Sequence, residues 1–63
     1  MNIEKLLNDL EEYRLENKLS YEALALELGI AYSTLHRYLN RKNVRPTKIN
    51  LYHINKFLIK KAH

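Results

Sequence analysis

Cysteine is absent from this 63-residue sequence, which excludes disulfide cross-links and thiolate metal ligands. Glycine and proline occur once each, as Gly29 and Pro46, so each marks a definite break in an otherwise regular chain. No stretch approaches the ~20 apolar residues of a membrane-spanning helix. The N-terminus carries Glu4 and Lys5 and then an amphipathic pattern, unlike a secretory leader. A soluble, cytoplasmic chain is therefore expected, and its length suits one domain, residues 1–63. A domain of this size buries only about 60% of the surface its unfolded chain exposes. Self-association is one way to add stability to so small a core.

Acid is also absent, but only from one half. Residues 1–30 hold three cations against seven acids, a charge of −4, and Glu27 is the last acid of the chain. Residues 31–63 hold eight cations and no acid, a charge of +8. A molecule with one cationic end fits a nucleic-acid binder. A merely hydrated basic surface has the same signature, and charge alone does not separate the two.

What is abundant is helical periodicity. Ile3, Leu6, Leu7, Leu10 and Tyr13 recur on one face of a helix over about 2–17, with Asn2 as its N-cap and Asn17-Lys18 as its exit. Ser20 can cap a second helix over about 21–28, where Leu24 and Leu28 share a face and Gly29 supplies the stop. A third helix is expected over about 31–40. Its inward stripe is Leu35, Tyr38 and Leu39; its outward face is Tyr32, Ser33, His36, Arg37 and Asn40. After the basic loop RKNVRP, Pro46 is well placed to open a fourth helix reaching about Lys60. Leu51, Ile54 and Leu58 form one stripe there, and Ile49, Tyr52 and Ile59 a second, with Phe57 between. A helix apolar on two sides is normally covered on two sides. The stretch INLYHIN also partly alternates, which leaves a strand open as the other reading of this segment.

The stretch YEALALELGIAYSTLHRYLN, Tyr21 to Asn40, resembles the helix-turn-helix of the Cro and phage-repressor family. Counting from Tyr21, Ala25 is fifth, Gly29 ninth and Leu35 fifteenth. Leu24, Leu28, Ile30 and Tyr38 fill the family's other apolar places. A small side chain is needed where the helices cross, and a glycine at the tight turn. The apolar set then fixes the angle at which the second helix of the motif protrudes. YRLENKLS upstream and the loop through Arg45-Pro46 downstream extend the likeness to about residues 6–54. The resemblance implies an all-α, lambda-repressor-like bundle of four helices, or five if the last segment divides. Three departures stand out: Ala31 replaces a common capping Ser or Thr, Tyr21 replaces a common Gln, and Leu39 stands where an acidic partner for Arg14 is usual.

That resemblance also implies a function, double-stranded DNA binding by a small repressor-type regulator. Tyr32, Ser33, Arg37 and, less directly, His36 are then the candidates for base contact. Arg37 suits guanine, because its guanidinium can donate to O6 and N7 together. Ser20, Tyr21, Asn40, Arg41, Lys42, Asn43, Arg45 and Lys48 are candidates for the phosphate backbone. A homodimer through Ile49, Tyr52 and Ile59 is expected. Two other readings stay open: a protein-interaction module or antirepressor built on the same motif, and an accessory factor of DNA recombination. An enzyme is not expected, since Ser33 and His36 have no following acid to orient the imidazole. His36, His53 and His63 lack metal-ligand spacing. No cofactor, membrane partner or small-molecule ligand is implied.

Overall fold

The computed structural model describes residues 2–40 and 45–61 and contains four helices in that span: α1, Ile3–Glu16; α2, Tyr21–Leu28; α3, Tyr32–Asn40; and α4, Lys48–Lys61. The alternating INLYHIN segment lies inside α4, so it is neither a strand nor a division between two helices. The three- and four-residue spacing of Leu51, Ile54 and Leu58 prevails over the weaker two-residue alternation.

Side-chain oxygens start three of the helices. Asn2 Oδ1 accepts from the Lys5 N–H at 3.0 Å, Ser20 Oγ from Ala23 at 3.0 Å and Thr47 Oγ1 from Asn50 at 3.2 Å. The last of these corrects the expected role of Pro46. Proline stands one residue before the cap and buries its ring, while Thr47 caps a helix that begins at Lys48. A hydroxyl can satisfy a first-turn N–H, which proline cannot do.

Two of the connections are built alike. At the end of α1, Lys18 is left-handed with φ 53°, and the Leu19 N–H reaches back to Arg14 O at 3.0 Å. At the end of α2, Gly29 is left-handed with φ 78°, and the Ile30 N–H reaches back to Ala25 O at 3.2 Å. In each case the next residue, Leu19 or Ile30, turns inward against the core. Glycine accepts such a φ without strain, whereas an L side chain costs about 1–2 kcal/mol there. A Cβ on Gly29 would meet nothing within 4 Å, so the penalty at that position is conformational and not steric. Gly29→Val should accordingly lower the melting temperature. Lys18→Gly should raise stability by about 0.5–1 kcal/mol, a gain of several degrees for a domain this small. Thermal melts followed by circular dichroism check both signs. An unchanged melt for Gly29→Val would mean that the turn is not left-handed in solution.

The core draws one fully buried residue from every helix: Leu10, Leu24, Leu35 and Ile54. Leu6, Ala25, Leu28, Tyr38 and Phe57 complete it. Phe57, lying between the two stripes of α4, thus belongs inside; its ring meets Tyr13 of α1 edge to face at 5.1 Å. Tyr38 buries its ring and still satisfies its hydroxyl, which accepts from Asn50 Nδ2 at 2.8 Å. Together these contacts seat α4 against α1 and α3. The second stripe of α4 stays outside: Ile49 is 70% exposed, Tyr52 59% and Ile59 57%.

Candidate nucleic-acid interface

The outward face of α3 follows from what its inward face must do. Leu35 and Tyr38 are buried and Thr34 and Leu39 half-buried, which turns Tyr32, Ser33, His36, Arg37 and Asn40 to solvent. The crossing with α2 is close because Ala25, only 3% exposed, has no side chain beyond Cβ. α3 therefore presents a row of polar, aromatic and cationic groups on a helix held by its opposite side. Nothing among the described residues bonds the Arg37 guanidinium, and no Asp or Glu follows Glu27 in the sequence. Asn40 is more constrained. Its Nδ2 donates to the His36 carbonyl at 2.9 Å, which restrains the exposed amide.

At the start of α3, Ala31 offers no side-chain acceptor, and its carbonyl accepts the Leu35 N–H at 3.0 Å. The N–H groups of the first turn thus open to the exterior beside Tyr32 and Ser33. At the start of α2, Ser20 is exposed, and its hydroxyl hydrogen remains available while its oxygen caps the helix. Arg45 and Lys48 are exposed on either side of Pro46 and Thr47. Arg41, Lys42 and Asn43, the other expected backbone contacts, lie outside the described residues.

Behind this face lies a cluster that no spacing in the sequence brings together. Arg14 of α1 forms a two-pronged pair with Glu11, Nε to Oε1 at 2.7 Å and Nη2 to Oε2 at 3.0 Å. Its Nη1 donates to the Leu19 carbonyl at 3.0 Å. The hydrogen bonds to Glu11 raise its pKa. Leu39 at the usual acidic position therefore leaves Arg14 paired with a carboxylate of its own helix. The guanidinium carbon lies over the Tyr21 ring, 4.2 Å from its centre. Tyr21 in turn meets His36 edge to face at 5.0 Å, and His36 lies 5.9 Å from Tyr32. The signal in the sequence was an aromatic at both the first and the sixteenth place of one motif, residues that only the helix crossing brings together.

A helix at the surface with a guanidinium unbonded among the described residues, an open N-terminus and a preceding helix packed across it through a small residue is the geometry of a DNA-binding helix-turn-helix. A family model described as helix-turn-helix matches residues 10–61. The chain belongs to the Cro and phage-repressor type of helix-turn-helix family. It is an all-α, lambda-repressor-like DNA-binding domain, and domains of this family are typically not enzymes. No significant match was found among curated proteins or among solved structures. In this helix-turn-helix the motif's two helices are α2 and α3, and the match takes in α4 as well. None of its helices is long and apolar enough to cross a membrane, among the described residues.

Proposed function

We propose that the protein is a sequence-specific transcriptional regulator, a small cytoplasmic repressor of phage or plasmid type contained in one domain, that reads the major groove with α3. The observation that carries this reading is the exposed row of Tyr32, Ser33, His36 and Arg37 on a helix anchored from behind by Leu35 and Tyr38. Arg37 reads guanine through O6 and N7. Tyr32 packs on a thymine methyl or meets a phosphate, and Ser33 and His36 complete the base-facing set. Ser20, Tyr21, Asn40, Arg41, Lys42, Asn43, Arg45 and Lys48 hold the flanking phosphates.

The operator is palindromic in this reading, because the protein acts as a homodimer. The longest dimension of the described fold is 26 Å. Recognition helices on successive turns of one DNA face stand about 34 Å apart, so two copies are needed to reach both. The exposed stripe of Ile49, Tyr52 and Ile59 is a suitable seam. The same stripe also fits a protein-interaction module, in which the motif serves another regulator and not an operator.

Selection of bound sites from a random duplex pool, followed by a salt titration, separates these readings. A palindromic consensus is expected, with a log–log salt slope of about −7 if each protomer neutralises about four phosphates. A slope near zero, or no binding to any duplex at low salt, would overturn DNA binding in favour of the protein-interaction reading. Sedimentation should show a dimer that Ile59→Glu dissociates. A wild-type monomer at high concentration, or a non-palindromic site, would refute the dimer alone.

A further inference from the structure

We propose that Arg14 is a positioning residue for the DNA-reading row of α3, acting on it through Tyr21 and His36. The inference rests on the DNA-binding reading above and adds to it a residue of the first helix that is outside the motif. Each of Arg14's three nitrogens is engaged within the protein, two by Glu11 and one by the Leu19 carbonyl. Its side chain is only 15% exposed. It is therefore committed internally and poorly placed to meet a phosphate itself. Its remaining contact is with the Tyr21 ring, over which the guanidinium carbon lies 4.2 Å from the centroid.

From that ring the contact continues through His36 to Tyr32, at 5.0 Å and 5.9 Å, and so reaches two members of the base-facing row. The path joins α1, the start of α2 and α3. An aromatic ring between a fixed guanidinium and an imidazole has few orientations open to it. Tyr21, once held, limits where His36 stands, and His36 limits Tyr32 one turn earlier on the same helix. Glu11 is part of the device because its two oxygens set the plane of the guanidinium. Pre-ordering these side chains lowers the entropy lost when they meet DNA, and it favours one arrangement of base contacts over others.

The test compares affinities of the full chain for two duplexes of equal length, one enriched from the random pool and one with its bases scrambled. Arg14→Leu keeps an aliphatic stem and removes the guanidinium. It is expected to lower the ratio of the two affinities by about five-fold, the scale of one cation–π contact. It should also move the His36 and Tyr32 ring resonances of the free protein. Glu11→Gln, which loosens the pair without removing it, should act in the same direction more weakly, and it remains informative if Arg14→Leu folds poorly. In a Tyr21→Leu background, neither change should alter the ratio further. An equal loss of affinity for both duplexes, unmoved ring resonances, or full additivity with Tyr21→Leu would each overturn the proposal while leaving DNA binding intact. If the wild-type chain binds neither duplex, the DNA reading fails and this inference falls with it.

Discussion

Leu35→Ala is expected to cost about 2–5 kcal/mol of folding stability and to leave much of the protein unfolded at room temperature. Leu35 is fully excluded from solvent at the middle of α3. The helix packs on α1 and α2, so a void there has lining from three helices and cannot collapse by the movement of one. A chain of 63 residues without cysteine has little reserve to absorb such a loss. A single core of this size supplies only about 3–5 kcal/mol of net stability. Leu26→Ala is the matched control. It removes the same atoms from a side chain 81% exposed on α2, and should change stability by less than about 0.5 kcal/mol. Urea unfolding followed by circular dichroism measures both. A cost below about 1 kcal/mol for Leu35→Ala would mean that α3 is not seated as described, and the outward direction of Arg37 would lose its foundation.

That link between the buried and exposed sides of α3 also explains how far the sequence could be read. The helix limits were legible almost to the residue, because they rest on local signals: periodic leucines, Asn2 and Ser20 as caps, and the only glycine at the turn. The exposed row of α3 followed from the same periodicity by subtraction. Lys18 was legible as an exit but not as a left-handed residue, since nothing in its chemistry announces a positive φ as glycine does. Pro46 and Thr47 both suit a helix start, and only the geometry decides for Thr47 as the cap of α4. Phe57 sat between two apolar stripes, and its place depended on the Tyr13 ring more than forty positions away in sequence. The Arg14–Tyr21–His36–Tyr32 path was hidden for a related reason. Arg14, Tyr21 and His36 meet only once α1, α2 and α3 have packed, and a sequence pattern carries no information on ring orientation.

For Arg37 the expected result is a change of selectivity more than of binding. Arg37→Ala should erase about 1–3 kcal/mol of preference for the enriched site over a scrambled duplex, while weak binding to any duplex persists. Stability should stay within about 0.5 kcal/mol, because the side chain is exposed and nothing among the described residues is bonded to it. Arg37→Lys sharpens the distinction between base and phosphate. Lysine keeps the charge but lacks the planar fork that donates to guanine O6 and N7 together. If Arg37 reads a base, the lysine variant should hold its affinity for scrambled DNA and lose the guanine preference. If Arg37 meets only phosphate, lysine should substitute well for both duplexes. Alanine should then weaken them equally and reduce the magnitude of the salt slope by about one per protomer. Site selection repeated with each variant gives the answer position by position. A base reader relaxes the consensus at one place in each half-site, whereas a phosphate contact leaves the consensus unchanged and only weakens it.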